Sequence, residues 1–108
     1  MRAVLIVMSD AVEGADGDYN DWYDRVHLPD VLRVPGLVGA RRFVAEPSVH
    51  GELPAQRYLA IYEMEGEDLD ALHGALSAAA ARMEISPAFD RARTVTYTYR
   101  LLTDGSSP

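Results

Sequence analysis

The sequence lacks cysteine altogether, which excludes disulfide bonds and catalysis by a thiolate. It also lacks any window of about 18 consecutive apolar residues, the length that a membrane-spanning helix needs. The apolar run at residues 2–8 is too short for the core of a secretory signal and leads into no cleavage pattern. We therefore expect a cytoplasmic protein that does not have a membrane as its partner.

Basic side chains are few. Ten lysine and arginine residues stand against 17 acidic ones, giving a formal charge of −7 and an isoelectric point near 4.7. Nucleic-acid binding depends on a basic patch that neutralises phosphates, so nucleic acid is not an expected partner. The acidity is instead typical of a surface that favours solubility.

Sequence patterns for metals and nucleotide cofactors are also missing. There is no glycine-rich phosphate loop, because the glycines fit turns and chain breaks. The three histidines, His27, His50 and His73, fall in separate predicted elements and have no carboxylate or histidine at the spacing of a zinc site. We therefore predict neither a metal nor a cofactor.

The 108 residues suffice for one domain with a core and are too few for a second. We place that domain at residues 1–102 and expect 103–108 to form a flexible tail. Apolar patterning and turn residues predict strand, helix, strand, strand, helix and strand in that order. The strands are expected at 2–8, 37–45, 57–64 and 93–102, with one helix around 19–27 and another from 66 to about 83.

This order of elements is that of an α+β, ferredoxin-like βαββαβ domain with a four-stranded antiparallel sheet. Its first and third strands, here 2–8 and 57–64, lie in the middle of the sheet. Both are apolar on their two alternating faces, whereas two helices cover only one face of such a sheet. The other face needs a partner, and we predict a second copy of the chain, which makes a homodimer.

The second strand and the loop after it are expected at the periphery. Arg41 and Arg42 point to opposite sides of this strand, which is typical of a sheet edge. The segment 46–55 contains two prolines and a glycine, so we predict an exposed, mobile loop that borders the functional cleft.

The segment 18–36 contains the only tryptophan and the most informative pattern. At about 100° per residue, Tyr19, Trp22 and Tyr23 fall on one side of a helix, which gives it an aromatic inner face. His27 falls at the edge of this face, one turn beyond Tyr23. A functional site, if the chain has one, is expected to begin here.

His27 is expected at the end of its helix. Pro29 disfavours a helical conformation at Leu28, so we expect the helix to kink or end beside the imidazole, with a short second turn after it. A helix C-terminus favours the protonated imidazole, and Asp24 and Asp30, three residues to either side, act in the same direction.

The motif at residues 22–31 resembles that of a known protein family. The run Trp-Tyr-Asp-x-x-His-Leu-Pro-Asp-Val at 22–31, followed by 34–36, the strand at 41–43 and the strand at 58–63, resembles the EthD-like proteins of the dimeric α/β-barrel superfamily. The resemblance extends over residues 1–102. It implies that two ferredoxin-like sheets pair face to face in a homodimer.

The resemblance also implies a range of activities. Members of the superfamily include polyketide cyclases, cofactor-independent quinone-forming monooxygenases, dehydratases, lactone isomerases and haem-binding enzymes. Their recurrent functional position, a histidine of the first helix that faces the cleft between helices and sheet, corresponds to His27. His27 is therefore the candidate catalytic residue.

Four more residues are candidates for substrate binding. They are Tyr19, Trp22, Tyr23 and Glu63. For the aromatic residues the alternative is plain packing in the core. For Glu63, which interrupts an apolar strand, the alternative to acid–base work is an ion pair with Arg41 or Arg42.

Two functions from different classes fit these residues. The first is a small cofactor-independent enzyme that acts on an apolar aromatic or polyketide-like molecule, with His27 transferring a proton in a pocket walled by Trp22 and Tyr23. Cyclase, dehydratase, isomerase and monooxygenase chemistry all use such a step. The second is a non-catalytic binding or accessory protein for a hydrophobic small molecule or for haem, with His27 or His73 as the axial ligand.

Overall fold

The computed structural model describes residues 1–105, so the end of the predicted tail, 106–108, lies outside the described residues. The strands are β1 (Arg2–Ser9), β2 (Leu37–Val44), β3 (Tyr58–Glu65) and β4 (Val95–Arg100). The helices are α1 (Asp16–Trp22), α2 (Leu28–Leu32) and α3 (Leu69–Ala80), with a π-helical turn at Tyr23–His27 between α1 and α2 and a 3-10 turn at Arg91–Arg93. The sheet is antiparallel with the order β2-β3-β1-β4, which confirms the predicted ferredoxin-like fold and the central positions of β1 and β3.

Strand register assigns the core residues to one face of the sheet. Residues directly opposite one another in an antiparallel pair share a face. Ala3 lies opposite Met64 and Leu5 opposite Tyr62, and all four are buried. This is the face that the helices cover, and we call it the covered face.

The other face, called the open face, is also largely apolar. Ile6 lies opposite Ile61 of β3 and Tyr97 of β4, and one row along Val4 lies opposite Glu63. Half of the surface of Tyr97 is exposed. The expectation that β1 and β3 carry apolar side chains on both faces is confirmed.

The predicted edge position of β2 is confirmed as well. Arg41 pairs with Ile61 on the open face, whereas Arg42 pairs with Ala60 on the covered face. Residues 46–55 form an exposed loop, as predicted, and their mobility stays a prediction. Over the described range, no helix has the length and apolarity to cross a membrane.

Of the two outcomes expected beside His27, a kink or an end of the helix, the second is wrong, because the helical segment continues past His27. Leu28 has helical dihedrals, with φ −58° and ψ −48°, and its N–H donates to the carbonyl of Tyr23 five residues back. This π-helical bond widens the turn that precedes Pro29, where a regular α-helix would bring the proline ring against a carbonyl. His27 therefore lies inside a continuous helical segment, and the short second turn that was expected is α2.

Gly36 joins the end of this segment to the sheet. Its φ of +93° lies in the left-handed region that favours glycine, and its carbonyl accepts from the N–H of Glu65 at 2.8 Å. A Cβ at this position would collide with Cδ2 of Leu72 on α3. That helix begins at a capping residue, Asp68, whose carboxylate accepts from the N–H of Ala71 at 2.7 Å. Gly36 thus allows the connection between α2 and β2 to pass close to α3.

Candidate functional site

The aromatic residues of α1 and the π-helical turn form one cluster against the covered face. Tyr19 and Tyr23 are 0% and 1% exposed, and Trp22 is 8% exposed. The ring centroid of Tyr23 lies 5.5 Å from that of Tyr19 and 5.3 Å from that of Trp22, and both pairs meet edge to face. Phe89, from the connection after α3, lies 5.7 Å from Trp22. The predicted aromatic face is thus part of the core.

The buried hydroxyls of this cluster are paired with one another. The hydroxyls of Tyr19 and Ser9 lie 2.5 Å apart, and the hydroxyl of Tyr62 donates to that of Tyr23 at 3.0 Å. Burial raises the pKa of Tyr23 to about 12 and also raises the pKa of Tyr19 and of Tyr62. At neutral pH these side chains are therefore neutral hydrogen-bonding groups and not phenolate bases.

Arg42 connects this cluster to β2. Its guanidinium carbon lies 4.3 Å from the ring centroid of Tyr23 and 5.4 Å from that of Tyr19. Nη1 donates to Oδ1 of Asp24 and Nη2 to Oδ1 of Asn20, each at 2.8 Å. Because a guanidinium is planar and its donors are fixed in direction, these contacts hold α1 and the π-helical turn at a defined position over the sheet.

The imidazole of His27 rests on the outer side of the cluster. It stacks on Trp22 with centroids 4.8 Å apart and planes inclined by 26°, and it meets Tyr23 edge to face at 5.0 Å. The indole N–H of Trp22 donates to the carbonyl of Glu84 at 3.0 Å, which fixes the ring under the imidazole. Within the described residues, Nδ1 of His27 is buried and has no hydrogen-bond partner. Packing, and not hydrogen bonding, holds this ring.

The expectation that the surroundings of His27 favour its protonated form is wrong. Burial lowers its pKa below the ordinary value of 6.5, and the carboxylate of Asp30 opposes this only in part. The expected helix C-terminus is absent at this position, and Asp24 is bonded to Arg42. At neutral pH the neutral imidazole is therefore the favoured form of His27.

Glu63 lies on the open face, away from His27. Its Oε1 is 4.0 Å from Nη2 of Arg41, so it pairs with the arginine of its own face. Glu63 also borders a cleft of about 680 Å³ at one end of the open face. Other residues that line this cleft are Arg2, Val4, Val38, Tyr99 and Leu101. The cleft that Glu63 borders is not lined by His27 in the part of the chain that the structure describes.

No protein-family model and no curated protein matches this sequence, but solved structures match the fold over nearly its whole length. An EthD family protein of Bacillus halodurans superposes with a TM-score of 0.68 at 16% identity, over 94% of this chain and 100% of the other. A dimeric ferredoxin-like protein of unknown function from Thermobifida fusca gives 0.59 at 17%, over 94% and 92%. The haem degrader MhuD of Mycobacterium tuberculosis, with two haems in its active site, gives 0.59 at 21%, over 96% and 99%.

The fold is that of the EthD-like, ferredoxin-like proteins. At these identities the comparison establishes the architecture, which agrees with the resemblance seen in the sequence. The assignment of roles to individual residues depends on the geometry of this chain.

Sequence reasoning missed three residues that organise the aromatic cluster. They are Arg42, Tyr58 and Tyr62. Tyr58 donates to Oδ2 of Asp16 at 2.5 Å and accepts from Asn20 at 3.2 Å. Both tyrosines stand at even spacing in β3, so the period of the strand places them on one face. The alternation of β2 places Arg41 and Arg42 on opposite faces of the strand, but the sequence does not indicate which of the two is buried.

The remaining histidines take no part in this cluster. His50 is exposed in the loop 46–55, and Nε2 of His73 lies 2.9 Å from the hydroxyl of Thr98. Across residues 1–105, no group of three or more histidine, aspartate and glutamate side chains is arranged to hold a metal ion.

Proposed function

We propose that this protein is a cofactor-independent enzyme that acts on an apolar aromatic or polyketide-like molecule by proton transfer through His27, in a cytoplasmic setting. The observation that carries the proposal is the state of His27: a neutral imidazole stacked on an aromatic surface, whose Nδ1 is buried, so that Nε2 is the nitrogen left to exchange a proton with a substrate. A group that removes a proton at neutral pH must first be unprotonated, and burial favours this form of His27 by lowering its pKa.

The chemical step needs no oxidant. Nε2 of His27 takes a proton from a carbon next to a carbonyl, or from a phenol, and the electron pair stays on the substrate as an enolate or phenolate. Return of the proton to another atom completes an isomerisation, dehydration or cyclisation. In this arrangement Trp22 and Tyr23 wall the imidazole, and Tyr19 supports them from the interior.

The same proposal includes a homodimer. The open face carries apolar side chains in adjacent strands, such as Ile6, Ile61 and Tyr97, which water would otherwise contact. The similar structure from Thermobifida fusca is dimeric. Pairing of two open faces would leave the helices and His27 on the outside of the assembly, and would enclose Glu63 at the interface.

A hydrogen–deuterium exchange experiment tests the role of His27 without knowledge of the natural reaction. Aromatic hydroxyketones are first screened for quenching of Trp22, the only tryptophan. Deuterium incorporation at the carbon next to the carbonyl of each binder is then followed by NMR. We expect the wild type to catalyse this exchange and His27→Gln to lose roughly 10²-fold or more in rate while it still quenches Trp22.

The matched control is His50→Gln, which removes an exposed loop imidazole and should leave exchange unchanged. Equal exchange rates in wild type and His27→Gln would contradict proton transfer by His27. Loss of quenching together with normal folding would instead make His27 a binding residue.

The second candidate function is a binding protein for haem or a similar flat hydrophobic molecule. The fold likeness to MhuD favours it, and so does the donor chemistry of His27, because haem iron takes a neutral imidazole nitrogen. His73 fits less well, since its Nε2 is engaged with Thr98. Haem, when bound, would supply redox chemistry that the side chains lack.

Titration with haem distinguishes this function from the first. A Soret band with a ligation shift that His27→Gln removes, and that His73→Gln retains, supports haem binding at His27. A spectrum identical to that of free haem at all protein concentrations contradicts it.

A further inference from the structure

Proton transfer by His27 leaves one group unexplained. A base that accepts a proton at Nε2 must keep a proton on Nδ1, and effective histidine bases have an acceptor for that second N–H. In the described chain, Nδ1 of His27 is buried and has no partner. Formation of the imidazolium would thus leave a buried cationic N–H without an acceptor, which is costly.

The charged groups around His27 leave one candidate acceptor. Asp24 already accepts from Nη1 of Arg42 at 2.8 Å. Glu84 is exposed and reaches the site only through its backbone carbonyl, which accepts from Trp22. Asp30 lies one turn after His27, in the first turn of α2, and its side chain is only 25% exposed.

The contacts of Asp30 leave part of its carboxylate available. Oδ1 accepts from Nη1 of Arg33 at 2.9 Å, and no donor within residues 1–105 engages Oδ2. Side chains three residues apart on a helix are neighbours, so this carboxylate and the imidazole of His27 share a side of the helix. The side chain of Arg33 is 77% exposed, so its ion pair with Asp30 is screened by water and contributes little.

We propose that Asp30 is the positioning residue of His27: its carboxylate accepts from Nδ1–H when the imidazole becomes doubly protonated, and Arg33 competes for the same carboxylate. This rests on the proposed proton transfer by His27. In the step, the substrate C–H or O–H bond breaks and its proton goes to Nε2. The Nδ1–H bond is retained and turned toward Asp30, and Nε2 later returns its proton to the product.

Two substitutions should move the titration of His27 in opposite directions. Asp30→Asn removes the anion that stabilises the imidazolium, so the titration midpoint of His27 should fall. Arg33→Gln removes the competitor and a nearby positive charge, so the midpoint should rise. Midpoints are read from the imidazole NMR signals, with His27 assigned by its loss in His27→Gln and with His50 and His73 as internal references.

The controls use the matched ion pair on the outer side of the same helix. Asp21 and Arg25 are bonded at 2.9 Å, and both side chains are exposed. Asp21→Asn and Arg25→Gln change the net charge by the same amounts as the test variants, so they report general charge effects. We expect each control to change the titration midpoint of His27 less than the corresponding substitution at Asp30 or Arg33 does.

Imidazole 15N shifts add a structural readout, since they report which ring nitrogen carries the proton in the neutral form. Asp30 as acceptor predicts the Nδ1–H form in the wild type and a smaller fraction of it in Asp30→Asn. Changes in the titration midpoint of His27 no larger than those in the control variants would overturn the proposal. Changes of the same sign in Asp30→Asn and Arg33→Gln would also overturn it. Because the titration requires no substrate, a failure here is distinct from a failure of the exchange assay.

Discussion

At the scale of single residues, burial decides the chemistry of this site more than position along the helix does. The sequence places His27 near a proline, and an imidazole at a helix end would be readily protonated. In the structure the same ring lies against Trp22 and Tyr23, and the desolvation of its charged form outweighs the attraction of Asp30. The resulting neutral imidazole is the form that a general base requires.

The buried hydroxyl pair of Tyr19 and Ser9 gives a stability prediction. Tyr19→Phe leaves the hydroxyl of Ser9 buried without its partner, so we expect a loss of about 1–3 kcal/mol in the free energy of unfolding. Ser9→Ala should also destabilise. The double variant should lose less than the sum of the two single losses, because it removes both partners. Urea denaturation of the four proteins measures this, and strict additivity would contradict a coupled pair.

At the scale of elements, the sequence predicted the order of strands and helices because their apolar periods are unambiguous. β1 and β3 carry apolar residues at successive positions, and α3 repeats leucines at three- and four-residue intervals. The continuity of the first helix was not predictable in this way. Pro29 signals a break in an α-helix, and only the π-helical turn at Tyr23–His27 removes the clash.

The site was predictable in part for the same reason. Helical spacing brings Tyr19, Trp22, Tyr23 and His27 to one face, and the structure places these four together. Whether a strand residue faces the same site depends on which face of the sheet the helices cover. A strict alternation in β3 puts Tyr62 and Glu63 on opposite faces, but the sequence does not identify the covered one.

The junction at Gly36 provides a prediction at this scale. Gly36→Ala combines a left-handed φ with a collision against Leu72, whereas Gly51→Ala has a similar φ, +80°, and open space around the position. We expect a loss of roughly 1 kcal/mol in unfolding free energy for Gly51→Ala, and a loss about 1–3 kcal/mol larger for Gly36→Ala. Chemical denaturation measures both. Equal losses of unfolding free energy in the two variants would show that Leu72 of α3 moves to accommodate the added methyl group without an energetic cost.

A second prediction concerns Asp10, which binds Arg57, just after the loop 46–55, and Arg93, just before β4. The carboxylate of Asp10 accepts from the N–H of Arg57 and from Nε of Arg93, each at 2.7 Å. Burial acts to raise the pKa of Asp10, but these bonds and the two positive charges outweigh it and lower the pKa below 3.8. The stabilisation by Asp10 is therefore complete above pH 3.8 and is lost as the pH falls through the lower, folded-state pKa.

Asp10→Asn should accordingly reduce stability at neutral pH and weaken its dependence on pH below 4. Thermal unfolding between pH 2 and 7 measures this, with Asp18→Asn, an exposed residue of α1, as the control. Parallel pH profiles for wild type and Asp10→Asn would contradict the role of this carboxylate.

At the scale of the whole molecule, the open face is the apolar surface on which the proposed homodimer depends. If two open faces pair, a charge at the centre of the face should separate them, because an unpaired buried charge is costly. Ile61 lies in that centre, opposite Ile6 and Arg41, whereas Leu32 is an exposed apolar residue of α2. We expect wild type and Leu32→Asp to sediment as dimers at micromolar concentration and Ile61→Asp to sediment as a monomer. A wild-type monomer would contradict the homodimer.

The measurement that tests the account most directly is the titration of His27 in the wild-type protein, followed by NMR and compared with the pH profile of deuterium exchange. The account predicts a midpoint below 6.5, because burial lowers the pKa of His27, and an exchange rate that rises through that midpoint and is level at neutral pH. A midpoint at or above 6.5, or exchange that does not follow the titration of His27, would contradict the claim that a neutral, buried His27 is the proton-transferring group.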